Sequence, residues 1–76
     1  MKSVQIKLKL AENVKSFVQK VAVFPGELDL RSGRYVVDAK SILGIFSLDL
    51  SKPITLEIYD NDCEELLQSL EEFIIK

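Results

Sequence analysis

Val37-Asp38-Ala39-Lys40-Ser41-Ile42-Leu43-Gly44-Ile45-Phe46-Ser47-Leu48 changes its periodicity halfway along, from the tail of a strand to a short helix. Ser41 is a natural N-cap, because its hydroxyl can accept a hydrogen bond from one of the helix's first amides. The spacing predicts a helix from about Ile42 to Leu48. In two turns, Ile45 and Leu48 form one buried stripe, leaving Ile42, Leu43 and Phe46 on another side. Immediately upstream, Tyr35, Val36 and Val37 continue a strand spanning Arg34 to Asp38. Ser32-Gly33 reads as a tight reversal, and Leu28 and Leu30 alternate with Glu27, Asp29 and Arg31 before it. Two strands joined by a short glycine-containing link make a hairpin.

Further out, Val4, Ile6, Leu8 and Leu10 alternate with Gln5, Lys7 and Lys9, predicting a first strand with one buried and one cationic face. Val14, Phe17, Val18 and Val21 follow at helical spacing, with Glu12 or Asn13 near the helix start. Pro25-Gly26 breaks that helix. On the far side, Pro53 opens a fourth strand in which Ile54, Leu56 and Ile58 alternate with Thr55 and Glu57. Asp62, with Glu65 three residues later, resembles a capping box for a last helix. That helix carries Cys63, Leu66, Leu67, Leu70 and Ile74 on one face. The order is βαββαβα in a single domain over residues 1–76. Strands with one polar face require the helices on the other, so the expected class is α+β: an open-faced sandwich of a four-stranded, mostly antiparallel sheet and three helices. A ferredoxin-like βαββαβ arrangement with an added helix fits the pattern equally well.

Composition narrows the function. The chain has 76 residues, 47% of them hydrophobic and 29% charged, with a net charge of -2. An isoelectric point near 5.0 argues against nucleic acid as a partner, since a phosphate backbone selects a basic face. One cysteine, Cys63, allows no internal disulfide, and no apolar signal core precedes the first strand, so a cytoplasmic location is expected. The longest nearly apolar run, Ile42 to Leu48, is far below the ~20 residues of a membrane span. With no histidine, the commonest general base and metal ligand are missing. A single cysteine cannot build a structural zinc site, and Gly26, Gly33 and Gly44 are too scattered for a phosphate-cradling loop. No catalytic constellation, metal site or cofactor site is visible, and the protein is expected not to be an enzyme.

The run from Val37 to Leu48 resembles the second signature of the HPr family, the histidine-containing phosphocarrier proteins of the bacterial sugar phosphotransferase system. Phe17-Val18-Gln19 and Phe24 are similar to the family's first helix and its end. The resemblance implies the HPr fold, with strand order 1-4-2-3. It also implies that Ser41 matches the serine phosphorylated by a regulatory kinase in Gram-positive relatives. The family's first signature, Gly-Ile/Leu-His-Ala-Arg-Pro, is not kept. Counting back from Ser41, its histidine falls on Leu10, its alanine on Ala11, its arginine on Glu12 and its proline on Asn13. Leucine cannot accept a phosphoryl group, and a glutamate in place of arginine repels one. Leu10, Ala11 and Glu12 therefore read as a degenerate phosphocarrier site.

Ser41 thus has two compatible readings, helix cap and regulatory phosphorylation site. Ile42, Leu43 and Phe46, with Lys40 beside them, read from periodicity alone as further core. The resemblance makes them a partner-binding patch. Cys63 reads as a small apolar core residue, and Asp60 and Asp62 as turn and cap chemistry rather than a cation site. The expectation is a regulatory interaction protein of catabolite control, unable to carry phosphate on histidine and switched at Ser41. By resemblance its partners are an HPr kinase/phosphorylase, a LacI-type regulator or a transferase enzyme. The alternative is a decoy that is never phosphorylated and binds through the apolar patch.

Overall fold

The computed structural model describes residues 2–60 and 62–75. Its elements are β1 (Lys2–Ile6), α1 (Ala11–Ala22), β2 (Leu28–Ser32), β3 (Tyr35–Asp38), α2 (Ile42–Phe46), β4 (Ile54–Ile58) and α3 (Glu64–Ser69). The strands form one sheet in the order β1-β4-β2-β3, and every neighbouring pair is antiparallel. The order follows from where the hydrophobic positions fall. Leu56 of β4 pairs with Val4 on one side and Leu30 on the other, and Leu30 pairs with Val37. In-register partners share a face, so one apolar row crosses all four strands. Ile6, Leu28, Leu30, Ile54, Leu56 and Ile58 are buried on that face beneath Val14, Phe17 and Val21 of α1, Ile45 of α2 and Leu66 of α3. The ferredoxin-like alternative is set aside by this strand order.

Local chemistry explains most boundaries. The β2–β3 hairpin turns on Gly33-Arg34, with Gly33 at φ 60°, where a residue with a Cβ is disfavoured. Arg34 therefore belongs to the turn and not to the strand. Gly26 lets the chain leave α1 closely: a Cβ there would lie 2.6 Å from the Phe24 ring.

Four further details depart from the sequence reading. First, β1 stops at Ile6; Leu8 keeps the buried phase, but Leu10 is 57% exposed as the N-cap of α1. Once the chain turns into the helix, period two no longer decides what is buried. Second, α2 ends at Phe46, two residues short of Leu48, whereas α1 begins at Ala11 with Glu12 and Asn13 near its start as expected, Asn13 Oδ1 accepting the Leu10 N–H at 3.1 Å. Third, Asp62 is not the cap of α3. Its N–H donates to Asp60 Oδ1 at 3.0 Å in a tight turn, and buried Cys63 is the N-cap, with no side-chain capping bond. Fourth, Ile74 does not belong to the α3 stripe. The helix ends at Ser69, and Ile74 forms an isolated bridge with Ile6 while Ile75 N–H bonds Gln5 O and Lys7 N–H bonds Phe73 O, both at 2.9 Å. The C-terminal segment thereby covers the outer edge of β1 at its end, from Gln5 onward. Phe73 closes the core edge-on against Phe17, ring centres 5.9 Å apart.

Candidate functional site

The loop that presents Ser41 is tied down at each residue. Asp38 begins it: its Oδ1 accepts the Lys40 N–H at 2.9 Å, and its backbone carbonyl accepts the Ser41 N–H at 3.0 Å. Lys40 then reaches across to the end of α1, where its Nζ donates to Phe24 O at 2.6 Å. That places a cation at the carboxyl end of the first helix, the end its dipole makes negative. The Lys40 ammonium is thus engaged inside the fold.

Ser41 is exposed, in extended backbone, and caps α2: its Oγ accepts the Gly44 N–H at 3.2 Å. Its carbonyl accepts the Ile45 N–H at 3.0 Å, the first full helical bond. Gly44 is what lets this turn sit tightly on β3, because a Cβ there would stand 3.2 Å from both Ser41 Oγ and Val37 Cβ. Ser47 closes the other end, its hydroxyl donating to Gly44 O.

The helix sorts its apolar residues unequally. Ile45 and Leu48 are buried, and Ile42 is half-buried against the core. Leu43 is 81% exposed and Phe46 44% exposed. Leu43 and Phe46 are therefore the solvent-facing part of the expected patch, while Ile42 contributes partly to folding.

At the amino end of α1, Leu10, Ala11 and Glu12 are all exposed. No side chain caps this terminus from the N-cap position, since leucine has no acceptor. Glu12 supplies negative charge in the first turn, where the helix dipole favours it. Lys7 and Lys9 lie alongside, sharing a shallow depression with Leu50 and Ser51. The connection after α2 is braced by Asp49, whose carboxylate accepts both the hydroxyl and the backbone N–H of Ser51. Those two bonds, with Lys52 nearby, hold the Asp49 carboxyl below the usual aspartate range.

The open face of the sheet was not singled out by the sequence reading. Glu57, Asp29 and Asp38 form one cross-strand row, and Arg31 Nε donates to Glu57 Oε1 at 3.1 Å. Glu57 is 8% exposed, the one buried charged residue among those described. The Tyr59 phenol is raised above the ordinary tyrosine value, first by interaction with the Asp29 carboxylate, then by partial desolvation and the nearby Glu57 charge. The only available signal was the alternation of β2 and β4; partners 26 residues apart leave no local mark. Among the described residues no group of three or more metal-ligating side chains converges, and no helix is long and apolar enough to cross a membrane.

This geometry has known counterparts. A family model described as the PTS HPr component phosphorylation site matches residues 4–76. The crystal structure of HPr-C-His from Thermoanaerobacter tengcongensis is similar at 32% identity and a TM-score of 0.79, over 95% of this chain and 89% of that one. A phosphocarrier protein HPr from Bacillus anthracis str. Ames is similar at 32% identity and a TM-score of 0.72, over 97% and 94%. No curated protein matches the chain.

Proposed function

The chain belongs to the HPr family of the phosphotransferase system, and from that membership we propose that it is a regulatory interaction protein that carries no phosphate on histidine and is switched at Ser41. The observation that carries this reading is the pairing of an exposed, capping Ser41 with exposed Leu43 and Phe46 on the same short helix. Exposed large apolar side chains on a small domain mark a surface that partners cover. A phosphate on Ser41 would add about -1.5 to -2 charge beside them and change what that surface accepts.

The absence of histidine is a property of the whole chain, so no choice of alignment supplies the phosphocarrier group. Leu10, Ala11 and Glu12 stand at the counted positions of the first signature, with an exposed leucine where phosphate would be carried and a carboxylate where the family has a cation. In this reading Leu10 extends the apolar docking surface and Glu12 selects against anionic partners. By family likeness the partners are an HPr kinase/phosphorylase, a LacI-type regulator or a transferase enzyme, and the protein works in the cytoplasm as one domain without catalysing a reaction.

The test is intact-mass spectrometry after incubation with ATP and an HPr kinase from a Gram-positive bacterium. A single phosphoryl group on the wild type, absent from Ser41→Ala but present on Ser47→Ala, is the expected result. A folded wild type that takes up none would sink the seryl switch and leave an unphosphorylated docking module.

A further inference from the structure

The two edges of the sheet are treated differently. The end of the β1 edge, at Gln5 and Ile6, is covered by residues 73–75, whereas among the described residues no strand pairs with the outer edge of β3. Tyr35 is 73% exposed and Val36 45% exposed along this edge. An uncovered edge presents a row of backbone donors and acceptors that templates another strand.

We infer that this edge pairs with β3 of a second copy of the chain, antiparallel and centred on Val36. Three independent features select that partner and register. The first is backbone direction. Ala39 N–H bonds Leu28 O, and hydrogen-bonded pairs alternate along an antiparallel ladder, so Val37 and Tyr35 also turn their backbone groups towards β2. Val36 and Asp38 therefore turn theirs outward. Pairing Val36 with Val36 of a second copy lets the two valines exchange their outward N–H and C=O groups and brings the turn residue Arg34 opposite Asp38 at both ends. The Asp38 carbonyl already accepts the Ser41 N–H and keeps a second lone pair for this purpose.

The second feature is charge. Strand β3 and the turn residue before it read Arg34-Tyr35-Val36-Val37-Asp38, a cation at one end and an anion at the other. Reversed against itself, it forms two Arg34–Asp38 pairs related by a two-fold axis, as a closed dimer requires. Within one chain neither residue forms an ion pair among the described residues. Asp38 instead lies directly opposite Asp29, with Glu57 next in the row, and Arg31 serves only Glu57. Like charges directly opposite are unfavourable. A guanidinium from a second copy would neutralise this row.

The third is side-chain fit. Tyr35 of one copy lies across from Val37 of the other on the helix side, twice, and aromatic–β-branched neighbours are favourable cross-strand pairs. The contact is short, below the roughly 1,000 Å² typical of stable complexes, so the association is weak and reversible.

Sedimentation equilibrium of the intact chain tests this. The expected result is a monomer–dimer equilibrium with a dissociation constant between about 0.1 and 1 mM that weakens with added salt. Arg34→Glu and Asp38→Arg, each placing like charges at both ends, should weaken it by about tenfold or more. Their equimolar mixture, and the double variant R34E/D38R, should dimerise again, because both restore opposite charges. Circular dichroism confirms that each variant is folded. Should Asp38→Arg unfold, concentration-dependent NMR shifts of the Val36 and Asp38 amides in the wild type, lost in Arg34→Glu, read the same contact. A monomer at about 1 mM, or Arg34→Glu dimerising like the wild type, overturns the inference.

Discussion

Replacing Ser41 by alanine removes one acceptor and leaves everything else in place, and its cost follows from the geometry of the cap. N-cap serine-to-alanine changes cost roughly 0.5–2 kcal/mol. The Ser41 Oγ to Gly44 N distance is 3.2 Å, longer than the usual mode, and the site is exposed, so water can replace the lost acceptor. Both facts place the cost at the low end, about 0.5–1 kcal/mol. The carbonyl bond from Ser41 to Ile45 N–H survives, so α2 frays without unravelling. In a domain this size, 1 kcal/mol shifts the melting temperature by about 4–8 °C, so Ser41→Ala should melt about 2–8 °C lower. Ser41→Asp keeps an acceptor at the cap and should melt close to the wild type. Thermal unfolding by circular dichroism, with urea midpoints as a check, reads both variants. Ser41→Ala melting at the wild-type temperature, or Ser41→Asp losing as much as alanine, would refute the capping argument. The outcome also shows whether the alanine control for phosphorylation is a folded one.

Two further expectations rest on single contacts. Gly26→Ala would bring a Cβ to 2.6 Å from Phe24 Cε2 and 3.3 Å from Asp60 Cβ, so the half-buried Phe24 ring has to turn out of its packing against the core. A loss of about 1–3 kcal/mol is expected in urea unfolding, and an unchanged midpoint would contradict that crowding. The Asp49 carboxyl, lowered first by the Ser51 hydroxyl and then by its amide, should titrate below ordinary aspartates by carbon-detected NMR and move back up in Ser51→Ala. Because its folded-state pKa is depressed, the stability linked to it is present above the unfolded value and lost as pH falls through the folded one. A Ser51→Ala profile identical to the wild type would remove the hydroxyl as the cause.

The sequence by itself determined the elements and their order. Alternation at Leu28, Leu30, Ile54, Leu56 and Ile58, the helical stripe at Val14, Phe17 and Val21, and the Ser41 cap all became structure at the expected places. These signals are local: each depends on residues within one or two turns of the chain, and burial of one face follows from periodicity alone. The resemblance carried by residues 37–48 then supplied the strand order, which periodicity could not. Only the tertiary structure decided features that depend on what lies across the sheet or around a corner. Leu10 has the phase of a core residue, yet the chain has already turned into α1 there, so it faces solvent. Ile74 has helical spacing from Leu70, yet it is drawn off the helix to bridge Ile6. Asp62 has the spacing of a cap, yet its own amide is taken by Asp60. Within the patch, only packing separates half-buried Ile42 from exposed Leu43 and Phe46. The pairing of Arg31 with buried Glu57, and the bare β3 edge beside a partly covered β1 edge, are set by register and by the path of the C-terminal segment. No window of neighbouring residues contains that information, because it lies in contacts between positions far apart in the chain.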